Sequence, residues 1–410
     1  MSRVLIYGMN YAPEFAGVGK YTGEIAEYLA STGAAVTVVT TPAHYPGWQV
    51  QDTFHNGRYT SEVRNGVVVL RCPLLLRRAM GGIWRLLAPL SFALTSAPVV
   101  VWQILRYRPD MALCIVPTLF GAPAMLLAAR MVGARTVLHV QDLEVDAAFA
   151  VGHLSSWTWL RRFGFAMEAA IITRFSQIIT ISERMAEKIA QKGADGRRID
   201  VVRNWVDIDL IRPLQTVSPY RRELGYSAND FIVQYSGNIG RKQGLGILLQ
   251  AARRVAADPR IKFVIAGEGP LKAELMAEYE DLANVRFYGF QPHERLSEFL
   301  GMADLHALPQ DPEATDLVLP SKLGGMLASS RPILVMAEPG TELVQFLKDS
   351  VTFIPPGALE ALVEAVRRAA GLEADAEQAH RRRRLARSLS KREGLLSFTR
   401  AATGQAALQR

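Results

Sequence analysis

The chain has 410 residues, of which 49% are hydrophobic and 21% are charged, and this composition excludes a disordered or collagen-like protein. A chain of this length is expected to form two domains of roughly 200 residues each rather than one hydrophobic core. The net charge of +8 at pH 7 indicates an anionic partner, either a phosphorylated ligand or a lipid surface. No zinc-finger, RNA-recognition or basic-zipper pattern accompanies this charge, so we expect no nucleic acid partner.

The beginning of the chain and its cysteines indicate the compartment. Met1-Ser-Arg leads directly into an apolar strand, without the basic and apolar regions of a signal peptide, which predicts a cytoplasmic protein. Cys72 and Cys114 each stand in an apolar run and lack CxxC spacing. We therefore expect buried thiols rather than a disulfide or metal ligands.

The first half of the chain alternates apolar strands with amphipathic helices, a pattern typical of a parallel sheet covered on both faces. The predicted strands are Val4 to Gly8, Ala35 to Thr40, Val67 to Arg71, Met111 to Val116, Thr136 to Val140, Gln177 to Ile181 and Asp200 to Val202.

The first connection between a strand and a helix contains Gly17 and Gly19. Glycines at a helix start let the backbone approach a phosphate, although they are equally consistent with a plain tight turn. The spacing matches neither GxGxxG nor a Walker loop, which removes the main support for a nicotinamide-binding domain.

A long uncharged run spans residues 86–105 and has the length of a membrane-crossing helix. Trp84 and Trp102 stand near its ends, and Arg77 and Arg78 precede it, as at the flanks of an interfacial helix. A buried core helix, a helix on the membrane surface and a true span all remain open at this point.

The fifth predicted strand contains His139 and is followed by Asp142. Ligands of open α/β sheets bind beyond the carboxyl ends of the strands, so Asp142 could hold a substrate hydroxyl, or it could merely cap a turn. His139 lies within the apolar run, and we expect it in the core.

Pro213 and Pro219 mark a linker, after which the alternation of strands and helices resumes. The second set of predicted strands is Phe231 to Ser236, Ile261 to Gly267, Val285 to Gly289, Leu305 to Leu308, Ile333 to Met336 and Val351 to Ile354. Four of these strands end in glycine- or proline-containing loops. Because carboxyl ends of parallel strands share one edge, we expect the four loops to converge on one ligand cleft.

The loop after the fourth of these strands is acidic and leads into a helix that begins at Ser321 and Lys322. Free backbone N–H groups at such a start, with a hydroxyl and an ammonium beside them, suit a diphosphate. An ordinary N-cap followed by a solvated lysine is the alternative.

With these loops in place, the sequence resembles the retaining family 4 glycosyltransferases of the GT-B fold over nearly its whole length. The N-terminal third most resembles the colanic acid branch, for which a fucosyl donor is proposed. The residues that carry the resemblance are Gly17-Val-Gly19, Ile181-Ser-Glu183, Arg203 to Asp207 with Pro213, Ser236-Gly237 with Gln243-Gly244, Gly267 to Pro270, Val285 to Gly289, Ala303-Asp304 with Pro309, Leu319 to Lys322 and Arg331-Pro332.

The resemblance implies two Rossmann-like parallel-sheet domains that face each other across a cleft. It places an acceptor-binding domain at 1–210, a nucleotide-sugar-binding domain at 211–385, and a C-terminal helix at 386–410 that packs back on the first domain.

Two departures from the family pattern concern the donor site. The usual Glu-x7-Glu motif aligns with Leu317 and Gly325, so both carboxylates are missing, and the usual arginine of Gly-Arg-Leu aligns with Asn238. Lys322 and Arg241 are the expected replacements for the lost cationic contact.

The implied reaction is transfer of a sugar from a nucleoside diphosphate donor, with retention, to a lipid diphosphate-linked saccharide of a colanic acid-like polysaccharide. Asp142, Arg241 and Lys322 are the expected catalytic residues. The residues expected to bind the donor are Gly17, Gly19, Gly237, Asn238, Arg241, Lys242, Glu268, Gly269, Phe290, Ser321 and Lys322.

We expect no metal or other cofactor, because no DxD pair ends a strand, and we expect attachment to the inner, anionic membrane surface. A sugar-nucleotide epimerase of the same fold and a non-catalytic homologue are the alternatives.

Overall fold

We describe the protein from a computed structural model. The described residues are 2–15, 17–45, 47–77, 84–117, 119–142, 158–311, 319–372 and 375–404. The chain forms two compact units: unit 1 comprises Met1–Arg203 and Leu395–Arg410, and unit 2 comprises Asn204–Gly394.

Unit 1 contains an eight-stranded sheet in the order β3-β4-β2-β1-β5-β6-β7-β8. Its strands are β1 (Arg3–Tyr7), β2 (Ala35–Thr40), β3 (Thr60–Arg64), β4 (Val67–Arg71), β5 (Met111–Val116), β6 (Arg135–Val140), β7 (Gln177–Thr180) and β8 (Ile199–Val201). The central strands β1 and β5 are buried on both faces, as expected for a sheet covered by helices on both sides. Seven of the eight strands were predicted from the apolar runs.

Strand β3 is the exception, because it pairs antiparallel with β4 at the edge of the sheet. Asn65 and Gly66 connect the two strands with positive φ angles of 50° and 78°, as in a two-residue hairpin. The first sheet is therefore parallel except for this edge strand.

The helices of unit 1 are α1 (Gly17–Ser31), α2 (Trp84–Tyr107), α3 (Ala122–Val132), α4 (Thr158–Ile172) and α5 (Glu183–Gln191). Helix α2 packs on the sheet through its inner face. Phe92 stacks on Tyr7 with ring centroids 5.5 Å apart, and the hydroxyl groups of Tyr7 and Ser96 are hydrogen-bonded at 2.7 Å. Within α2, the 21 residues Leu87–Tyr107 are apolar enough to cross a membrane, but half of the stretch is buried in the protein.

Unit 2 contains a six-stranded parallel sheet in the order β11-β10-β9-β12-β13-β14. Its strands are β9 (Phe231–Ser236), β10 (Ile261–Ala266), β11 (Val285–Tyr288), β12 (Leu305–Leu308), β13 (Ile333–Met336) and β14 (Thr352–Ile354). This is the doubly wound order, and its topological switch point lies between β9 and β12.

The helices of unit 2 cover both faces of this sheet. They are α6 (Pro219–Glu223), α7 (Leu245–Arg254), α8 (Lys272–Glu278), α9 (Leu296–Gly301), α10 (Lys322–Ser329), α11 (Glu342–Leu347), α12 (Leu359–Gly371) and α13 (Ala376–Ser388). A final helix, α14 (Lys391–Thr403), carries the chain from unit 2 back into unit 1.

The first boundary falls after Arg203, a few residues before the expected linker. Val206 packs closely on Gly324, whose added Cβ would lie 2.9 Å from the Val206 Cβ. The Val206 amide also donates to the Leu389 carbonyl at 2.8 Å. These contacts attach the segment that follows Arg203 to unit 2.

The arginine run of α13 has an internal role. Arg382 is 1% exposed and donates to the carbonyl oxygens of Ser350 and Ser330. Arg381 pairs with Glu377. A run of arginines such as Arg381 to Arg384 predicts a solvated helix face. That prediction is wrong for Arg382, which ties α13 to the rest of unit 2.

Candidate functional site

The loops of unit 2 that begin at the carboxyl ends of β9 and β10 are locked together by backbone contacts. The Ile239 amide donates to the Glu268 carbonyl at 2.9 Å, and the Gly237 amide donates to the Ala266 carbonyl at 2.9 Å. A Cβ on Gly267, which has a φ of +143°, would lie 1.8 Å from the Gly237 carbonyl oxygen. A side chain at this position would therefore prevent the two loops from packing.

Two further loops join this edge. The Asp311 amide, after β12, donates to the Lys242 carbonyl at 3.2 Å. Lys272 donates from Nζ to the Tyr288 carbonyl at 3.0 Å and pairs with Glu268 at 2.7 Å, which links the loop after β10 to the end of β11. Within unit 2 the described parts of the four predicted loops are thus joined along one edge of the sheet.

Lys322 is the first residue of α10 and extends over the loop after β9. Its Nζ donates to the Tyr235 hydroxyl at 2.7 Å and lies 4.0 Å from the centroid of the Tyr235 ring. An added Cβ on Gly237 would meet the Lys322 Nζ at 3.2 Å. Lys322 therefore reaches the switch point of the sheet.

The electrostatic state of Lys322 is unusual. Among the described residues, no carboxylate oxygen lies within 4.0 Å of the Lys322 Nζ, the limit for an ion pair. Burial lowers the pKa of Lys322 to about 7, since the charged form loses hydration. A phosphate placed beside this group would stabilise its charged form.

Other predicted residues of unit 2 lie on exposed loops at the same edge of the sheet. Asn238, Arg241 and Lys242 are exposed on the loop after β9, and Ser321 is exposed before α10, where its side chain makes no capping hydrogen bond. Phe290, after β11, is 39% exposed. An anionic ligand at this edge would thus have three cationic side chains within one unit.

The glycines expected to make room for the donor also serve internal packing. A Cβ on Gly269 would lie 2.3 Å from the Ile239 carbonyl oxygen, and one on Gly19 would lie 2.3 Å from a carboxylate oxygen of Glu14. The protein itself therefore requires glycine at both positions, whether or not a ligand also approaches them.

Gly17, Gly19 and Asp142 lie in unit 1, at the carboxyl edge of its sheet. A Cβ on Gly17 would lie 3.1 Å from the Tyr45 ring. The exposed Asp142 acts electrostatically on Tyr45, whose pKa is raised by burial and then by the charges of Glu14 and Asp142. The structure thus gathers these predicted residues around Tyr45.

Sequence reasoning missed the buried carboxylate that shapes this edge. Glu14 is 2% exposed and accepts hydrogen bonds from the backbone amides of His44 and Tyr45, at 3.1 and 3.0 Å, and from the Asn10 amide group at 3.0 Å. Its position beside Pro13, in the loop that precedes Gly17, was the available signal. His139 is buried as expected, and burial lowers its pKa to about 3.

Part of the expected acidic loop lies outside the described residues, namely 312–318, which include Leu317. Gly325 lies inside α10, where an added Cβ would meet Leu300 at 3.0 Å. Among the described residues, no group of three or more His, Cys, Asp or Glu side chains is placed to hold a metal ion.

Comparison with known proteins defines the family. Residues 16–205 match the model of the glycosyl transferase 4-like domain, and residues 230–371 match that of the glycosyl transferases group 1. The chain is 38% identical over 376 residues to the putative colanic acid biosynthesis glycosyl transferase WcaI of Escherichia coli K12, covering 90% of this chain and 92% of that protein.

Two solved structures show the same fold at low sequence identity. Sucrose-phosphate synthase from Thermosynechococcus elongatus superposes with a TM-score of 0.75 at 15% identity, over 99% of this chain and 100% of that one. HepE of Anabaena in complex with UDP-glucose gives 0.69 at 14% identity, over the full length of both chains. The chain belongs to the family 4 glycosyltransferases of the GT-B fold.

Proposed function

We propose that the chain transfers a sugar, with fucose the first candidate, from a nucleoside diphosphate donor to a lipid diphosphate-linked saccharide during assembly of a colanic acid-like polysaccharide. The observation that best supports a diphosphate donor is the Lys322 ammonium, which lies at the switch point of the unit 2 sheet without a carboxylate partner among the described residues. The similarity to WcaI supports the polysaccharide class.

The donor diphosphate is proposed to bind Lys322, with Arg241, Lys242 and the N-terminus of α10 at Ser321 stabilising the charge that develops on the leaving group. Asn238, Glu268, Gly269 and Phe290 are proposed to contact the ribose and the base. Structural similarity to a protein that was solved with UDP-glucose supports a nucleotide-sugar donor.

We propose a retaining, front-face reaction. A double displacement needs two carboxylates placed as acid and nucleophile, and we assign no such pair among the described residues. In the front-face route the acceptor hydroxyl attacks the anomeric carbon while the bond to the diphosphate breaks, and the leaving phosphate oxygen takes the hydroxyl proton. Asp142 is proposed to orient that hydroxyl, and no metal ion is required because protein cations stabilise the leaving group.

The acceptor proposal rests on the outer face of α2 and α3. On α2, Leu90, Leu94, Trp102 and Leu105 form one exposed stripe, opposite the face that packs on the sheet. From Trp84 to Val132 the sequence has four arginines and one acidic residue. An apolar stripe with a cationic rim fits the surface of an anionic bilayer, where a lipid-linked acceptor resides. We therefore propose peripheral attachment to the inner face of the membrane.

The decisive experiment measures donor turnover. GDP-, UDP- and dTDP-sugars are first screened by thermal shift, and release of nucleoside diphosphate is then followed with and without a lipid diphosphate-linked acceptor. Release only in the presence of acceptor supports a transferase, whereas conversion of the donor without acceptor indicates an epimerase. Failure of every donor to bind or react would support a non-catalytic homologue.

The matched pair of variants is Lys322→Met and Lys262→Met. Lys262 is a partly buried lysine near the amino end of β10, at the opposite edge of the same sheet. Loss of one charge-stabilising donor typically costs about 100- to 1,000-fold in rate, so we expect a loss of this size in Lys322→Met only. Equal activity of the two variants would contradict the proposed role of Lys322.

A further inference from the structure

Tyr235, the penultimate residue of β9, has a fully buried side chain that ends at the donor edge of unit 2. Its hydroxyl donates to the Asn238 carbonyl at 2.5 Å and accepts from the Lys322 Nζ at 2.7 Å. A phenol has one proton to donate. Because that proton is donated in the hydrogen bond to the Asn238 carbonyl, the lone pairs of the phenol oxygen are left to accept from the ammonium.

The Lys322 side chain is held along its length as well as at its end. An added Cβ on Gly237 would meet Cδ and Cε of Lys322 at 3.3 Å each, so the aliphatic stem lies directly over this glycine. The ring of Tyr235 adds a cation–π contact at 4.0 Å. A free lysine side chain populates many rotamers, and here that freedom is already restricted before a ligand binds.

The other charged groups of this edge are either exposed or interact with partners of their own. Arg241 and Lys242 are exposed on the loop after β9, and Glu268, on the loop after β10, pairs with Lys272. Asp311, which follows β12, also interacts with other groups of the protein. Among the described residues, the group in hydrogen-bond contact with the Lys322 ammonium is the Tyr235 phenol.

We propose that Tyr235 is a positioning residue of the donor site, which holds the Lys322 ammonium and ties it to the loop after β9 so that the cation is preorganised for the donor's diphosphate. This inference rests on the proposed function, because it assumes that a nucleoside diphosphate binds beside Lys322. Tyr235 itself need not touch the donor.

The test uses Tyr235→Phe, which keeps the ring and its packing but removes the oxygen that accepts from Lys322. We expect the Kd for the nucleoside diphosphate that binds wild type, measured calorimetrically with UDP, GDP and dTDP, to rise about tenfold. Without its acceptor the ammonium is harder to keep charged, so the pH above which binding weakens should also move to lower values. In a Lys322→Met background the same change should alter Kd less than twofold.

Tyr226→Phe is the matched control. It removes another buried tyrosine hydroxyl of unit 2, one that lies 3.4 Å from the Tyr288 hydroxyl and away from Lys322. We expect its Kd and pH profile to match those of wild type. Thermal unfolding without ligand establishes that each variant is folded.

The outcomes separate the two proposals. If wild type binds none of the nucleoside diphosphates, the proposed function fails. If wild type binds one of them and Tyr235→Phe binds equally well, or if the change costs as much affinity in the Lys322→Met background as in wild type, the positioning role is wrong. Should Tyr235→Phe not fold, Tyr235→Met is the second variant, which also lacks the phenol oxygen, and unchanged binding in that variant would equally overturn the inference.

Discussion

The lowered pKa of Lys322 predicts how donor binding depends on pH. A pKa of about 7 means that the ammonium loses its proton as the pH rises through 7, whereas the diphosphate of an intact nucleotide-sugar keeps its charge. Donor affinity should therefore be highest below pH 7 and fall about tenfold per pH unit well above it. The measurement is the Kd of the nucleotide-sugar between pH 6 and 9, and the slope should be absent in Lys322→Met.

The same group affects stability with the opposite sign. Between pH 7 and about 10 the unfolded chain binds the Lys322 proton while the folded chain does not, so the free energy of unfolding without ligand should rise with pH in this window. A pH-independent donor affinity in wild type would show that Lys322 does not interact with the diphosphate.

A second prediction for a single residue concerns Gly267. An alanine there would combine a φ of +143° with a Cβ only 1.8 Å from the Gly237 carbonyl oxygen. Backbone strain of this kind costs about 1–3 kcal/mol, and the overlap adds to it, so we expect Gly267→Ala to lower the free energy of unfolding by at least about 2 kcal/mol. Urea denaturation measures this change.

The control for Gly267→Ala is Gly246→Ala in α7. A Cβ added to Gly246 would have no other atom within 4 Å, and alanine is favoured over glycine in a helix by about 0.5–1 kcal/mol. This variant should be neutral or slightly more stable than wild type. Equal destabilisation by both changes would mean that the contact of Gly267 with Gly237 does not determine the effect.

At the scale of elements, the apolar runs were sufficient to predict thirteen of the fourteen strands, because buried parallel strands are nearly continuous in hydrophobicity. Strand β3 was missed, since Thr60–Arg64 is a polar, mostly exposed edge strand. Its one local signal was the Asn65-Gly66 turn. A strand without a buried face is recognised by its hairpin rather than by its composition.

The parts of the candidate site that lie at strand ends or contain glycines could be predicted from the sequence. The parts formed by contacts between residues far apart in sequence could not. Lys322 was identifiable because it starts a helix after a strand. The role of Tyr235 was not, since in sequence it is one of several large residues in a buried strand and lies 87 residues from Lys322. The same holds for Glu14, whose partners His44 and Tyr45 lie about 30 residues away.

The burial of helix α2 adds information on residues 86–105 that hydropathy alone does not give. Phe92 and Ser96 face the sheet, as expected for a core helix, whereas Leu94 and Trp102 are 70% and 56% exposed. Helix α3 adds Leu127, which is 67% exposed. One helix thus supplies both a core face and an apolar outer face.

The outer face predicts vesicle binding. Burying a leucine or a larger side chain in an apolar environment contributes about 1.5–3 kcal/mol, so Leu94→Ser with Trp102→Ser should lower binding to phosphatidylglycerol vesicles by at least tenfold. Sedimentation with vesicles measures the partition, and binding should weaken with salt and on neutral vesicles. The control is Met276→Ser with Leu372→Ser, which removes exposed apolar groups from unit 2. Equal losses in both pairs would contradict a specific role for α2.

For the whole molecule, the chain crosses between the units twice, after Arg203 and after Gly394, so unit 1 is not contiguous in sequence. The expected boundaries at 210 and 385 differ from these positions by several residues. Proline and charge mark where a chain can bend, but tertiary contacts decide to which unit a segment belongs. Val206 and Arg382 both have contacts with unit 2 that no local pattern indicates.

The last prediction concerns helix α14, which returns the chain to unit 1. Phe398 of α14 is 1% exposed and packs edge-on against the buried His139 ring, with centroids 5.0 Å apart. Since burial lowers the pKa of His139 to about 3, the ring is neutral at pH 7 and acts as an apolar partner. Replacing a buried phenylalanine by alanine costs about 3–5 kcal/mol, and Phe398→Ala should therefore destabilise unit 1 by that amount.

Hydrogen exchange followed by mass spectrometry localises this effect. In Phe398→Ala, amides of β5 to β8 should exchange faster at pH 7, while those of β9 to β14 should keep the wild-type rates. Ser397→Ala changes an exposed neighbour on the same helix and should leave both sets unchanged. Destabilisation by a lost core contact is expected first in the sheet that the contact covers, here that of unit 1. Faster exchange confined to unit 2 would therefore contradict the prediction and show that α14 stabilises unit 2.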